Sequence, residues 1–111
     1  MRSRVLVAIV LALVFAGHAT ANDQLVAALK QTGKAVDNMT AAISQAKTDG
    51  EAETVAAAVR QALDNGLKQD RPTIAIQASA NYCRVTIETA GWKLWSEGQS
   101  GKITDHGATV H

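Results

Sequence analysis

The sequence predicts a small α+β domain that follows a cleaved signal peptide. Two helices are expected to form a hairpin on one face of a three-stranded antiparallel β-meander, in the order α-α-β-β-β. Three observations support this prediction: an apolar N-terminal run, helical spacing of apolar residues as far as residues 65–70, and a change to strict alternation after Pro72. The expected division is residues 1–21 as signal peptide, 22–97 as one domain and 98–111 as a polar flexible tail.

Residues 1–21 contain the three parts of a secretory signal peptide. Arg2 and Arg4 precede an apolar run at residues 5–16, and small residues stand at the expected cleavage point after Ala21. The run is shorter than the roughly 20 apolar residues that a membrane-spanning helix needs. We therefore expect no stable membrane span after cleavage, and a secreted or periplasmic mature protein.

The charges and the single cysteine of the expected mature chain argue against two classes of protein. Nine Lys and Arg residues stand against ten Asp and Glu residues, and no basic stripe indicates a nucleic-acid partner. Because Cys83 is the only cysteine, no disulfide within the chain can stabilise the fold. We therefore expect neither a nucleic-acid binder nor a disulfide scaffold, but a domain that depends on its apolar core.

The first predicted helix covers residues 23–47. Its apolar side is formed by residues at alternating spacings of four and three, namely Leu25, Leu29, Thr32, Val36, Met39, Ile43 and Ala46. Thr48 and Glu51 predict a capping box at the start of a second helix, which ends at Asn65-Gly66 or near Asp70. The short connection favours an intramolecular hairpin, whereas a helix seam between two chains is the alternative.

Three strands are predicted after Pro72, where apolar and polar residues alternate. Facing residues of an antiparallel pair have a constant sum of residue numbers, so the position of a loop determines every pair. Loops at residues 80–81 and 90–91 predict these facing pairs: Ala78 with Cys83, Ile76 with Val85, Ile74 with Ile87, Gln77 with Arg84, Ile87 with Leu94, Thr86 with Trp95, Glu88 with Lys93 and Arg84 with Glu97. Moving either loop by one residue would turn one strand over and destroy the agreement.

This register places Cys83 and Trp95 on opposite faces of the sheet. Cys83 joins the apolar face under the helices, where burial makes a thiol inert; an intermolecular disulfide is the alternative. Trp95 lies on the other face, where we predict a binding surface formed by Trp95, Arg84, Lys93 and Glu97. The alternative for Trp95 is that the C-terminal tail covers it, or that it packs as an ordinary cross-strand partner of Thr86.

The predicted tail, residues 98–111, is rich in glycine and polar side chains. The outer strands of the sheet have open edges unless the tail adds a short strand at residues 102–104. Asp105, His106 and His111 are too few ligands for a structural zinc site, so we predict no metal and no cofactor. Asp37, like the other acidic residues of the helices, is expected to face solvent.

The pattern of residues favours a non-catalytic function. The sequence has no Gly-rich phosphate loop, no HExxH, no CxxC and no hydrolase serine motif. We therefore predict a small exported binding or accessory protein that contacts a protein partner through its polar sheet face or an open strand edge. One alternative is a structural protein, a homodimer joined through Cys83 or the helix seam. The other is a thiol-dependent enzyme in which Cys83, His106 and Asp105 come together.

Overall fold

Two helices precede a four-stranded antiparallel sheet. The computed structural model describes the backbone of residues 22–111 and the side chains from residue 25 onward, so the predicted signal peptide lies outside the described residues. The elements are α1 (Asn22–Ser44), α2 (Asp49–Leu67), a short 3-10 helix (Lys68–Asp70), β1 (Thr73–Ser79), β2 (Tyr82–Glu88), β3 (Trp92–Gln99) and β4 (Lys102–Val110). Neighbours in the sequence are neighbours in the sheet, in the order β1-β2-β3-β4.

The helix boundaries follow from local capping chemistry. The α2 helix begins after Thr48, which has an extended backbone and whose side-chain oxygen accepts the N–H of Glu51 at 3.1 Å. The Thr48 half of the predicted capping box is thus confirmed. The α2 helix continues through Gly66 into the 3-10 helix, so of the two predicted ends the one near Asp70 is correct. Arg71 then takes a left-handed conformation (φ 48°), and its N–H bonds the carbonyl of Lys68.

The predicted register of the first three strands is confirmed at every facing pair. The loop at 80–81 is stabilised by Asn81, which adopts a left-handed conformation (φ 61°) and whose backbone N–H donates to the Ala46 carbonyl at 2.8 Å. The loop at 90–91 is closed by Thr89, whose hydroxyl accepts the N–H groups of Gly91 at 3.2 Å and Trp92 at 3.1 Å. Hydrogen bonds made by the loops thus compensate for loop residues that are poor hairpin formers.

The prediction of three strands is wrong, because the residues predicted as a tail form a fourth strand. Strand β3 continues to Gln99, and β4 pairs with it along its whole length. Ser100 and Gly101 both have positive φ angles (51° and 85°), as a two-residue hairpin turn with the twist of the sheet requires. A register shift at Glu97/Gly98 marks a β-bulge, which breaks the alternation in this part of the sheet.

One apolar core lies between the helices and one face of the sheet. The α1 helix packs mainly on β3 and β4, and α2 packs on β1. The largest fully buried apolar side chains are Met39, Ile43, Leu63, Ile87, Leu94, Val36, Val59 and Val85. Within the described residues, neither helix is long and apolar enough to cross a membrane.

Candidate functional site

The face of the sheet opposite the helices carries all four residues predicted as a binding surface. Arg84 on β2 and Lys93, Trp95 and Glu97 on β3 alternate with core residues, and each of the four is half-buried. Tyr82, Thr86, Asp105 and Gly107 share this face because of their register positions. We call these eight residues the outer face. Its side chains are held by neighbouring strands, so this surface is more rigid than a loop would be.

Glu97 and Arg84 are the centre of a polar cluster on the outer face. Tyr82 Oη donates to Glu97 Oε2 at 2.5 Å, and Arg84 Nη1 lies 3.7 Å from Glu97 Oε1. Arg84 Nη1 also lies 3.9 Å from Asp105 Oδ2. The hydrogen bond to Glu97 raises the pKa of Tyr82, with burial as the next cause. Because the ion pairs are long and open to water, they orient the side chains more than they stabilise the fold.

Trp95 can pack closely on the outer face because the residue opposite it on the next strand has no side chain. It faces Gly107 on β4, and a Cβ at residue 107 would overlap Cζ2 of the indole and lie 2.7 Å from Cε2 and Cη2. The indole therefore lies on the β4 backbone at Gly107, which accounts for its half-burial. Residues of the predicted tail thus cover one side of Trp95, and the side chain remains partly exposed.

Lys93 does not form the ion pair that its register position suggests. It faces Glu88, but Glu88 Oε2 lies 3.6 Å from Nε2 of His111 at the end of the chain. Among the residues that the structure describes, Lys93 has no carboxylate within 4.0 Å. The outer face therefore has an unpaired cation at one end of β3 and a cluster with two carboxylates at the other.

Asp37 is not solvated as predicted, because it joins α1 to two strands. Ser96 Oγ donates to Asp37 Oδ1 at 2.7 Å, and His106 Nδ1 donates to Asp37 Oδ2 at 2.7 Å. The Asp37 hydrogen bond raises the pKa of His106, whose side chain is otherwise largely exposed. The sequence contains one signal of this contact. Ser96 is a polar residue at an inward position of β3, so its hydroxyl needs a hydrogen-bond acceptor from the helix that covers it.

The three residues of the alternative thiol enzyme are not assembled in the structure. Cys83 is fully buried, and burial raises the pKa of its thiol to about 12. His106 bonds Asp37 on the helix side of the sheet, whereas Asp105 lies beside Arg84 on the outer face. Across residues 22–111, no group of three or more His, Cys, Asp or Glu residues is arranged to hold a metal ion.

Comparison with known proteins finds no matching family model, no matching curated protein and no matching solved structure. A function can therefore be proposed only from the chemistry of the surfaces described above.

Proposed function

We propose that this protein is a small non-catalytic binding protein that contacts a protein partner through its outer face, with Trp95 as the main contact. The observation that carries the proposal is the placement of a half-exposed indole at the middle of a sheet face that no helix covers in residues 22–111. Tryptophan and arginine are the residue types most enriched among those that dominate binding energy. Export to the periplasm or outside the cell remains part of the proposal, on the basis of residues 1–21.

The surroundings of Trp95 support its role as an anchor. Gly107 holds one side of the ring, so little side-chain freedom would be lost when a partner covers the other side. Arg84 and Glu97 form a polar rim that can exchange hydrogen bonds with a partner. Lys93, without a carboxylate partner in the described residues, would meet an acidic side chain. A protein surface with an apolar centre and an acidic group at one side fits this arrangement.

The two alternative functions have weaker physical support. A homodimer through Cys83 would require the sheet to separate from the helices, because the thiol is buried in the core. A helix seam between chains would compete for Val36, Met39 and Ile43, which are already buried in the core. A thiol enzyme would need a thiolate, and a pKa of about 12 leaves almost none at neutral pH.

Photocrosslinking in the native host tests the proposal. A photoreactive amino acid is placed at Thr86 or Lys93 on the outer face, and as a matched control at Glu53 or Gln61 on the exposed side of α2. We expect both outer-face positions to yield an adduct of the same mass, which the Arg84→Ala variant weakens and the α2 positions do not give. Equal adducts from all four positions, or none from the outer face, would contradict the proposal.

A further inference from the structure

A second surface lies along the free edge of the sheet, in a groove between α1 and β4 that Trp95 and Gly107 of the outer face also line. The groove has a volume of about 590 Å³. The other apolar residues of its lining are Val26, Leu29, Gly33, Leu94, Ala108 and Val110. Val26 and Val110 are 45% and 50% exposed, and they are the two large exposed hydrophobic residues of the described part of the chain. The largest exposed apolar side chains are thus concentrated in one groove.

The groove runs along an open sheet edge. Strand β4 is last in the sheet, so alternate backbone N–H and C=O groups point away from β3. The opposite edge differs, because Arg60 Nη1 of α2 donates to the Ile74 carbonyl of β1 at 2.8 Å. Among the described residues, no side chain donates to or accepts from the β4 backbone in this way. Strand β4 is therefore the more open of the two sheet edges.

The rim of the groove carries positive charge. Lys30 and Lys34 stand one helical turn apart on α1, and both are exposed. Neither has a carboxylate within 4.0 Å among the residues that the structure describes. Asp37 is the lining residue with a carboxylate close to them on α1, but Ser96 and His106 occupy its two oxygens. An occupant with an acidic group would complement this rim.

We propose that an extended peptide segment of a partner protein adds to β4 as a fifth strand, with alternate apolar side chains in the groove and an acidic side chain beside Lys30 and Lys34. Backbone pairing would supply affinity, and the groove would select the side chains. A second copy of this chain fits less well, because it would bring its own Lys30 and Lys34 to the same seam. The groove shares Trp95 and Gly107 with the outer face. Strand pairing at β4 and the contact with Lys30 and Lys34 do not rest on the function proposed above.

Fluorescence anisotropy tests this proposal with labelled heptapeptides that carry Val, Ile or Leu at the second and fourth positions and Asp at the sixth. We expect binding that weakens about tenfold or more in Ala108→Phe, which fills the groove, and also in the Lys30→Glu, Lys34→Glu double variant. Matched controls are Ala75→Phe on the other edge strand and Lys47→Glu on the segment after α1, and both should bind as the wild type does. Arg84→Ala on the outer face should also bind normally.

Two modified peptides distinguish the mode of binding. N-methylation of alternate backbone nitrogens blocks strand pairing and should abolish binding, and Lys in place of Asp should weaken it. No binding by any peptide of the set, or binding unchanged in Ala108→Phe with a folded circular dichroism spectrum, would overturn the proposal. Equal binding of the N-methylated peptide would overturn it in favour of an apolar ligand site, and a dimer that Ala108→Phe dissociates would overturn it in favour of a second copy.

Discussion

The indole of Trp95 lies against Gly107 of the neighbouring strand, so closely that a Cβ at residue 107 would overlap Cζ2 of the ring. This contact connects β4, which replaces the predicted flexible tail, to the residue that is predicted as a binding anchor. Gly107 is the position of β4 at which a side chain would displace the ring. The orientation of Trp95 therefore depends on Gly107, and the outer face should respond to changes there.

We predict that Gly107→Ala destabilises the protein by about 1–3 kcal/mol, because the added methyl group must displace a half-buried indole. Gly91→Ala is the matched control, since a Cβ at residue 91 has nothing within 4 Å, and it should change the free energy of unfolding little. Urea unfolding followed by far-UV circular dichroism measures both. Equal stability of the two variants would contradict the close contact.

Thr40 contains a buried hydroxyl for which no hydrogen-bond partner is found among the described residues. We predict that Thr40→Val stabilises the fold by about 1 kcal/mol, because it removes the cost of an unsatisfied polar group. Thr32→Val is the matched control, since Thr32 Oγ1 donates to the Ala28 carbonyl at 2.8 Å in the same helix. It should be neutral or destabilising in thermal unfolding. A loss of stability in Thr40→Val would show that its hydroxyl is satisfied.

Cys83 should be inert in the folded state. Burial removes the thiol from solvent and raises its pKa from the ordinary range to about 12. We predict that a chromogenic disulfide reagent labels Cys83 of the folded protein only as fast as the protein unfolds. In denaturant the same reagent should label Cys83 at once. Thr109→Cys in a Cys83→Ala background supplies an exposed control thiol, which should react rapidly. Rapid labelling of native Cys83 would contradict the packing of the core.

The hydrogen bond between Asp37 and His106 should make stability depend on pH. Because the folded-state pKa of His106 is raised, its charged form stabilises the folded state fully below the ordinary histidine pKa of 6.5. That stabilisation is lost as the pH rises through the raised pKa. We predict that the stability difference between the wild type and His106→Asn falls over this range, by a small amount because His106 is largely exposed.

A double-mutant cycle identifies the partner of His106. In an Asp37→Asn background, His106→Asn should no longer change the pH dependence of thermal unfolding, because the carboxylate that raises the pKa is gone. An unchanged effect of His106→Asn in that background would mean that another group is responsible. Ser96→Ala removes only the other hydrogen bond of Asp37 and should keep the pH dependence.

Local patterns in the sequence were sufficient to predict the helices and the first three strands. Thr48 and Glu51 marked the start of α2, and the alternation around Val85 and Leu94 determined the register of the sheet. These features depend on residues close together in the chain, or on a period of two that one slip would destroy. The faces of Cys83 and Trp95 followed directly from that register.

Strand β4 and the Asp37 hydrogen bonds could not be predicted in the same way. The stretch around Asp105 and Gly107 has little strand preference of its own, and the bulge at Glu97/Gly98 interrupts the alternation that would have revealed it. It forms a strand because β3 offers an edge with which to pair. The contact of Asp37 with Ser96 joins residues 59 positions apart and depends on how α1 lies over the sheet, which no local pattern specifies.

The most direct test of the proposed function is the dissociation constant of the crosslinked partner for the wild type and for Trp95→Ala, measured by calorimetry. If Trp95 is the anchor of the outer face, its truncation should weaken binding by about tenfold or more while the circular dichroism spectrum and the oligomeric state stay unchanged. A folded Trp95→Ala protein that binds the partner with the wild-type dissociation constant would contradict the proposal.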